Sequence, residues 1–229
     1  MSRTYAIHKG DTLAKVAKKF YGDAVLFKKI AEYNGIRKPD LIMVGQIIEI
    51  PSRKELEGET LLPAAATGLV PPVGLEQIVA TFGNINEFIR EDGSLDPRWE
   101  AEYLGQTPLP FAIPLSWDQS KSVTNLRCHK KLVDVFRGVF DTVVKEGLSG
   151  SIRTFGGCFN YRPKRTSGKL STHSWGIAID LNPGTNRQGT SGDMDADVVE
   201  VFGQYGFKWG GDWTGSSKDP MHFQFCTGY

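Results

Sequence analysis

The first fifty residues change their hydrophobic period three times. "TYAIH" (4–8) alternates apolar and polar residues and predicts a short strand. Leu13, Val16, Ala17 and Phe20 then recur at i, i+3, i+4 and i+7, one face of a helix, with Asp11 as its expected N-cap. Leu26, Phe27, Ile30 and Ala31 form a second helical face, with Asp23 at its start and Asn34-Gly35 at its stop. "IIEIP" (47–51) alternates again and ends at a proline. The pattern is strand–helix–helix–strand, a unit small enough to have modest stability of its own.

After Ser52 the period disappears. "SRKELEGETLLPAAATGLVPPVG" mixes prolines with three successive alanines and predicts an interdomain linker over residues 53–73. Residues 74–229 are then a second domain. "GLEQIVATFG" predicts a short helix, and "LGQTPLPFAIPLSWD" (104–118), with three prolines, predicts irregular surface chain. "HKKLVDVFRGVFDTVVKEG" (129–147) predicts an amphipathic helix whose stripe is Leu132, Val133, Phe136, Val139, Phe140, Val143 and Val144. "SIRTFGG" predicts a strand. "DADVVEVFGQYG" predicts a helix with an acidic start, which explains the "GDMDAD" run better than an EF-hand loop lacking its later glutamate.

Composition narrows the function classes. With 229 residues, 40% hydrophobic and 23% charged, the chain is an ordinary globular protein, and a net charge of +1 gives no electrostatic case for nucleic acid or an anionic membrane. No apolar run approaches the length that spans a bilayer, so membrane insertion is not expected. "MSRTYAIHKGDTLAK" has no apolar h-region, so no secretory signal is expected, and action outside the cytoplasm would need another route. Cys128, Cys158 and Cys226 are too few and scattered for a disulfide framework and read as buried apolar residues.

The chemistry concentrates in two stretches. "STHSWGIAID" (171–180) sets His173 and Asp180 seven residues apart. On a helix that is roughly 10 Å of rise, and on a straight strand more than 20 Å, too far to share one ion. The segment must bend for the two to meet, and Trp175-Gly176 is where it can, leaving "IAID" as a returning strand. "DPMHFQF" (219–225) offers a third ligand, His222, at the start of an alternating strand that puts His222 and Gln224 on one face. Asp219 precedes Pro220 in a turn, where a carboxylate can serve as general base without being a ligand. His8, in the first strand, and His129, at a helix start, read as structural or solvated.

Two resemblances follow from these residues. "TYAIHKGDTLAKVAKKFYGD…LFKKIAEYNGI…PDLIMVGQIIEIP" resembles a LysM module over residues 1–52. That resemblance implies binding to the glycan of peptidoglycan or chitin in a groove that includes Gly10, Asp11, Thr12 and Ile36. The pair Ser171-x-His173-x-x-Gly176-x-x-x-Asp180 and Asp219-x-x-His222, over about residues 125–229, resembles the zinc D-alanyl-D-alanine peptidases. That family spans carboxypeptidases, vancomycin-resistance dipeptidases and phage L-alanyl–D-glutamate endopeptidases. By position it implies Zn2+ held by His173, Asp180 and His222, with Asp219 as base.

"YRPKR" (161–165) matches a segment whose arginine steadies the oxyanion, which implies that role for Arg162. Ser171 and Trp213, the latter closing "KWGGDW" (208–213), are implied substrate contacts, and Asp212 is a rival base disfavoured by spacing. The implied fold is α+β, a βααβ module joined to a peptidase domain with a central antiparallel sheet. The implied function is an endolysin-like hydrolase of the peptidoglycan stem peptide, acting on the cell wall after release or particle-mediated delivery. Two alternatives stay open. One is a tail or injection-machine component whose LysM module docks to phage or particle proteins, and the other is a wall-binding protein with an inactive metal site.

Overall fold

A computed structural model describes residues 3–36, 38–51, 68–164 and 168–229. The chain is α+β and divides into two compact units, Met1–Leu61 and Leu62–Tyr229. Most of the expected linker, residues 53–67, lies outside the described residues.

In the first unit, strand β1 (Arg3–Ala6) pairs antiparallel with β2 (Ile47–Ile50), and helices α1 (Leu13–Tyr21) and α2 (Phe27–Tyr33) lie between them in sequence. Leu13, Val16, Ala17, Ile30, Ala31 and Ile48 are all buried together. The N-cap of α1 is Thr12, whose hydroxyl accepts from the Lys15 N–H at 3.2 Å, rather than the expected Asp11. Asp11 instead ties the preceding turn, accepting from the His8 N–H at 2.8 Å and the Tyr5 hydroxyl at 2.9 Å. His8 lies beyond the end of β1 and is exposed. Asn34 does more than stop α2: its side-chain amide donates to and accepts from the backbone of Glu49, pinning the helix end to β2.

The second unit is built on a six-stranded sheet. After α3 (Gly74–Phe82) and α4 (Pro97–Tyr103) come β3 (Leu104–Leu115) and β4 (Asp118–His129), then α5 (Val133–Lys145). β5 (Phe155–Gly157), β6 (Ala178–Leu181), α6 (Ala196–Gln204), β7 (Lys208–Trp209) and β8 (His222–Gln224) follow. The strand order is β4-β3-β5-β6-β8-β7, antiparallel except for a single parallel pairing of β3 with β5. α5 and α6 cover one face, where Phe202 packs 4.4 Å from Phe223 and 6.1 Å from Phe140 between ring centroids. The three cysteines are free and buried.

Three expectations change. Residues 104–115 form a twelve-residue strand instead of irregular chain. Their prolines are tolerated because β3 meets β5 only at Leu115 on one side, and its register with β4 breaks between Pro108 and Ile113. The buried stripe of α5 is rotated, with Val135 and Thr142 buried and Val144 44% exposed. The end of the expected linker belongs to the second unit: Val73 bridges Thr227, and the Thr227 N–H donates to the Pro72 carbonyl at 2.9 Å.

His129 is a fully buried structural residue. Its Nε2–H donates to the Phe82 carbonyl at 3.0 Å, so Nδ1 is left to accept from the Lys131 N–H at 3.2 Å. The neutral ring is satisfied, while a second ring proton would face an N–H. Burial, aided by Lys131 and Lys130, pushes its pKa down to about 4. Because the folded value lies below the unfolded one, this stabilisation is complete above about pH 6.5 and is lost as pH falls from there towards 4. Urea unfolding should register a loss of about 3 kcal/mol across that window attributable to His129. His129→Gln keeps a donor for Phe82 and should flatten the slope by that amount; an unchanged slope would place the acid sensitivity elsewhere.

Candidate metal centre

His173, Asp180 and His222 meet at one point because three local structures place them there. His173 sits on a single helical turn, Thr172–Trp175, that opens at Ser171, whose hydroxyl accepts from the His173 N–H at 3.4 Å. Gly176 closes the turn at φ +67, a conformation that suits glycine, and its N–H returns to the His173 carbonyl at 2.9 Å. A Cβ there would also approach the His129 backbone nitrogen to 2.8 Å. The chain then runs into β6, and the register of β6 with β8 sets Asp180 directly opposite His222. Two strand residues in register point to the same face, so the pairing itself brings the two side chains together. Gly156 leaves room for Asp180, since a Cβ on it would come within 2.9 Å of the aspartate's own.

His173 Nε2 lies 3.2 Å from Asp180 Oδ1 and 3.2 Å from His222 Nδ1, and His222 Nδ1 lies 2.9 Å from the same aspartate oxygen. One ligand atom from each residue falls within 4.8 Å of the others. The outer ring nitrogens are already engaged. His173 Nδ1 is 2.6 Å from the Cys158 carbonyl, so the ring hydrogen sits there and Nε2 faces the cluster with a lone pair. His222 Nε2 is 3.1 Å from Gln224 Oε1, which also accepts from the Thr172 hydroxyl at 3.3 Å, so the His222 hydrogen points outward as well.

With neutral rings, three lone-pair donors therefore converge with no hydrogen among them, an arrangement that calls for a cation. Two imidazoles and one carboxylate suit a borderline divalent ion such as zinc and leave a coordination position open. Burial alone would raise the Asp180 pKa, but with no cation bound the facing histidines, when protonated, outweigh it and hold the carboxyl far below its ordinary range.

Asp219 stands beside this cluster, with the His222 N–H donating to its carbonyl at 3.0 Å. Its Oδ1 is buried with no hydrogen-bond partner among the described residues. Burial pushes its pKa up to about 6, which suits a group that must take and return a proton. Gly210 accounts for part of "KWGGDW": its carbonyl accepts from the Asp219 N–H at 2.8 Å, and a Cβ there would meet the Asp219 carbonyl oxygen at 2.5 Å. Gly210→Ala should therefore cost about 1–3 kcal/mol, read as a lower denaturant midpoint of the second unit. Wild-type stability would mean that the Asp219 backbone shifts freely.

Arg162, Ser171 and Trp213 line the same cleft as Asp219 and the three clustered residues. The backbone of Arg162 is held by the 171–174 segment: its N–H donates to Ser174 Oγ at 3.1 Å, and its carbonyl accepts from the Ser171 N–H at 2.9 Å. The Trp213 ring centroid lies 5.5 Å from that of His222. Asp212 is exposed and does not line the cleft. Sequence reasoning passed over Cys158, Thr172 and Gln224, which orient the histidines, and Lys164, Arg187 and Tyr229, which also line the cleft. Only Gln224 left a signal, through its alternation with His222.

In the first unit, Gly10 adopts φ +90 in the loop before α1, and Asp11 and Thr12 hold the turn and cap already described. Ile36 is half-buried against the core, its N–H donating to the Ala31 carbonyl at 2.7 Å. All four sit in loops, outside regular structure.

Comparison with known proteins returns two families. Residues 5–51 match the LysM domain, and residues 164–225 match D-alanyl-D-alanine carboxypeptidase, a match that starts two residues after Arg162. An uncharacterized protein of Deinococcus radiodurans is 51% identical over 47 residues, which cover 20% of this chain and 19% of the relative. An esterase of Mycobacterium tuberculosis is 36% identical over 104 residues, 36% of this chain and 23% of its own. The N-acetylmuramoyl-L-alanine amidase XlyA of Bacillus subtilis is 36% identical over 62 residues, 27% of this chain and 20% of its own. The chain thus spans about a fifth of the length of these relatives. By these matches it carries a LysM domain at residues 5–51 and the D-alanyl-D-alanine carboxypeptidase signature at residues 164–225, and His173, Asp180 and His222 all fall inside the second.

Proposed function

We propose that this protein is a zinc-dependent peptidase that cuts the stem peptide of peptidoglycan, with residues 1–52 holding it on the glycan strand and residues 74–229 carrying the catalysis. The observation that carries this reading is the convergence of the three lone-pair donors of His173, Asp180 and His222 beside the half-buried carboxylate of Asp219, whose Oδ1 has no hydrogen-bond partner among the described residues. The two family matches support it, as does an N-acetylmuramoyl-L-alanine amidase among the relatives.

His173, Asp180 and His222 would hold the ion, which when bound polarises both water and the scissile carbonyl. Asp219 accepts the attacking water's proton at its carboxylate and later returns it to the leaving amine. Arg162 donates to the oxygen on which negative charge develops. Thr172, Gln224 and the Cys158 carbonyl keep both imidazoles in the tautomer that faces inward. Trp213 and Ser171 contact the peptide. The protein works on the wall, outside the cytoplasm.

Mass spectrometry of muropeptides before and after digestion with zinc-loaded protein tests this directly. The expected result is a new pair of fragments separated at one stem-peptide bond, and zinc-loaded protein that leaves every muropeptide intact would overturn the reading. The anchoring role has its own test. Deleting residues 1–52 should lower retention on insoluble wall about tenfold or more while leaving turnover of a soluble stem peptide unchanged. Equal loss on both substrates would make the first unit part of the catalytic machinery instead.

A further inference from the structure

The cleft that holds the cluster has a volume of about 830 Å3 and is lined by three cations, Arg162, Lys164 and Arg187. The other described arginines of the second unit are matched with acids: Arg90 and Arg98 with Asp96, Arg127 with Glu100, Arg137 with Asp134 and Arg153 with Asp193. Arg162, Lys164 and Arg187 form no ion pair among the described residues, although Asp180 and Asp219 share the cleft. A volume of that size exceeds what a terminal dipeptide fills and suits a longer chain.

Lys164 and Arg187 stand on different segments. Lys164 belongs to a wall made by the Pro163–Leu170 bridge and Tyr229, whose hydroxyl donates to the Leu170 carbonyl at 2.8 Å. Its ammonium rests 4.0 Å from the Tyr229 ring centroid, a contact that fixes the charge without neutralising it. Burial lowers the Lys164 pKa, a cost that an incoming carboxylate would offset. Arg187 belongs to a second wall, where the Gly189 N–H donates to the Lys218 carbonyl at 2.7 Å and Gln188 Nε2 donates to the Ser216 carbonyl at 3.2 Å. His173, Asp180 and His222 come from segments belonging to neither wall. Arg162 acts electrostatically on both His173 and Asp219, which leaves it for the reacting atoms.

We propose that Lys164 and Arg187 are specificity-determining residues that each receive one carboxylate, so that the cleft selects a peptide with two separated negative charges over a neutral peptide of equal length. The proposal rests on the peptidase reading only for the word substrate; the recognition itself is a matter of binding. Charge-assisted bonds of this kind are geometrically selective and weaken as salt rises.

The probes are L-alanyl-γ-D-glutamyl-L-lysyl-D-alanine and its counterparts with the glutamyl carboxyl, the terminal carboxyl, or both converted to amides. Dissociation constants measured by calorimetry on the metal-free full-length protein, and KM on the zinc-loaded protein, should both rise about tenfold for each carboxylate removed. Lys164→Met should erase the preference for one carboxyl and Arg187→Met the preference for the other, and higher salt should shrink both. Equal affinity for the acid and the diamide, or a preference untouched in both variants, overturns the proposal. Selective binding without any cleavage would instead sink the peptidase reading and leave this recognition standing, whereas cleavage of acid and amide alike would do the reverse.

Discussion

Asp219→Asn should keep a metal ion in each chain and lower turnover of a stem peptide by about 10²–10⁴-fold, the usual contribution of general acid–base catalysis. The amide preserves the size of the side chain and cannot take a proton. Metal content should survive because the three converging donor atoms belong to His173, Asp180 and His222, and none to Asp219. Metal analysis and initial rates on the same preparation separate the two effects. Zinc loss in Asp219→Asn would make Asp219 a ligand and overturn the assignment.

Asp212→Asn is the control and should be far milder, since Asp212 lies outside the cleft. The pH profile carries the same information. Asp219 acts as base in its ionised form, so the rate rises with pH through its pKa. Burial sets that value at about 6, and a nearby dication draws it lower, so the acid limb should fall below pH 6 and vanish in Asp219→Asn.

Stripping the metal with a chelator should abolish hydrolysis, and readdition of zinc should restore it. Stability should follow, because a ligand that binds only the folded state stabilises it by RT ln(1 + [L]/Kd), about 3–4 kcal/mol at 100–1,000 times Kd. For a unit the size of the second one, this amounts to a thermal midpoint higher by about 10 °C with zinc. His222→Ala leaves two protein ligands and should show neither the zinc-dependent rise nor any activity. Full activity after exhaustive stripping would remove the metal from the mechanism. A zinc-dependent rise that persists in His222→Ala would relocate the binding site.

Much of this was legible in the sequence because the relevant signals are local. The seven-residue separation of His173 and Asp180 demanded a bend, and Gly176 provides it with a positive φ. The alternation in "HFQF" placed His222 and Gln224 on one face, and both line the cleft. What escaped depended on contacts distant in sequence. The prolines of residues 104–118 argued against a strand, and nothing local tells that β3 has a strand neighbour along most of one side only. The carbonyl that orients His173 comes from Cys158, whose side chain gives no hint of that use. The rotation of the α5 stripe depends on what covers Val135 and Thr142, and the helical period alone cannot fix that within one residue. Asp11 was expected at the N-cap that Thr12 holds because either residue type caps a helix, and only the partners of Asp11 decide between them.

The position of β8 has a consequence for the order in which the protein is made. β8 lies between β6 and β7 in the sheet although it follows both in the chain. A chain still on the ribosome presents His173 and Asp180 long before His222, and the turn holding Asp219 emerges almost as late. Until the segment carrying β8 is free, the sheet has a gap beside β6, the ring of Phe202 lacks Phe223 as its neighbour, and the donor set is one short. The apolar core and the ligand set are therefore completed by the same insertion. A chain that stopped short of β8 would lose part of its core and one of its three donors together.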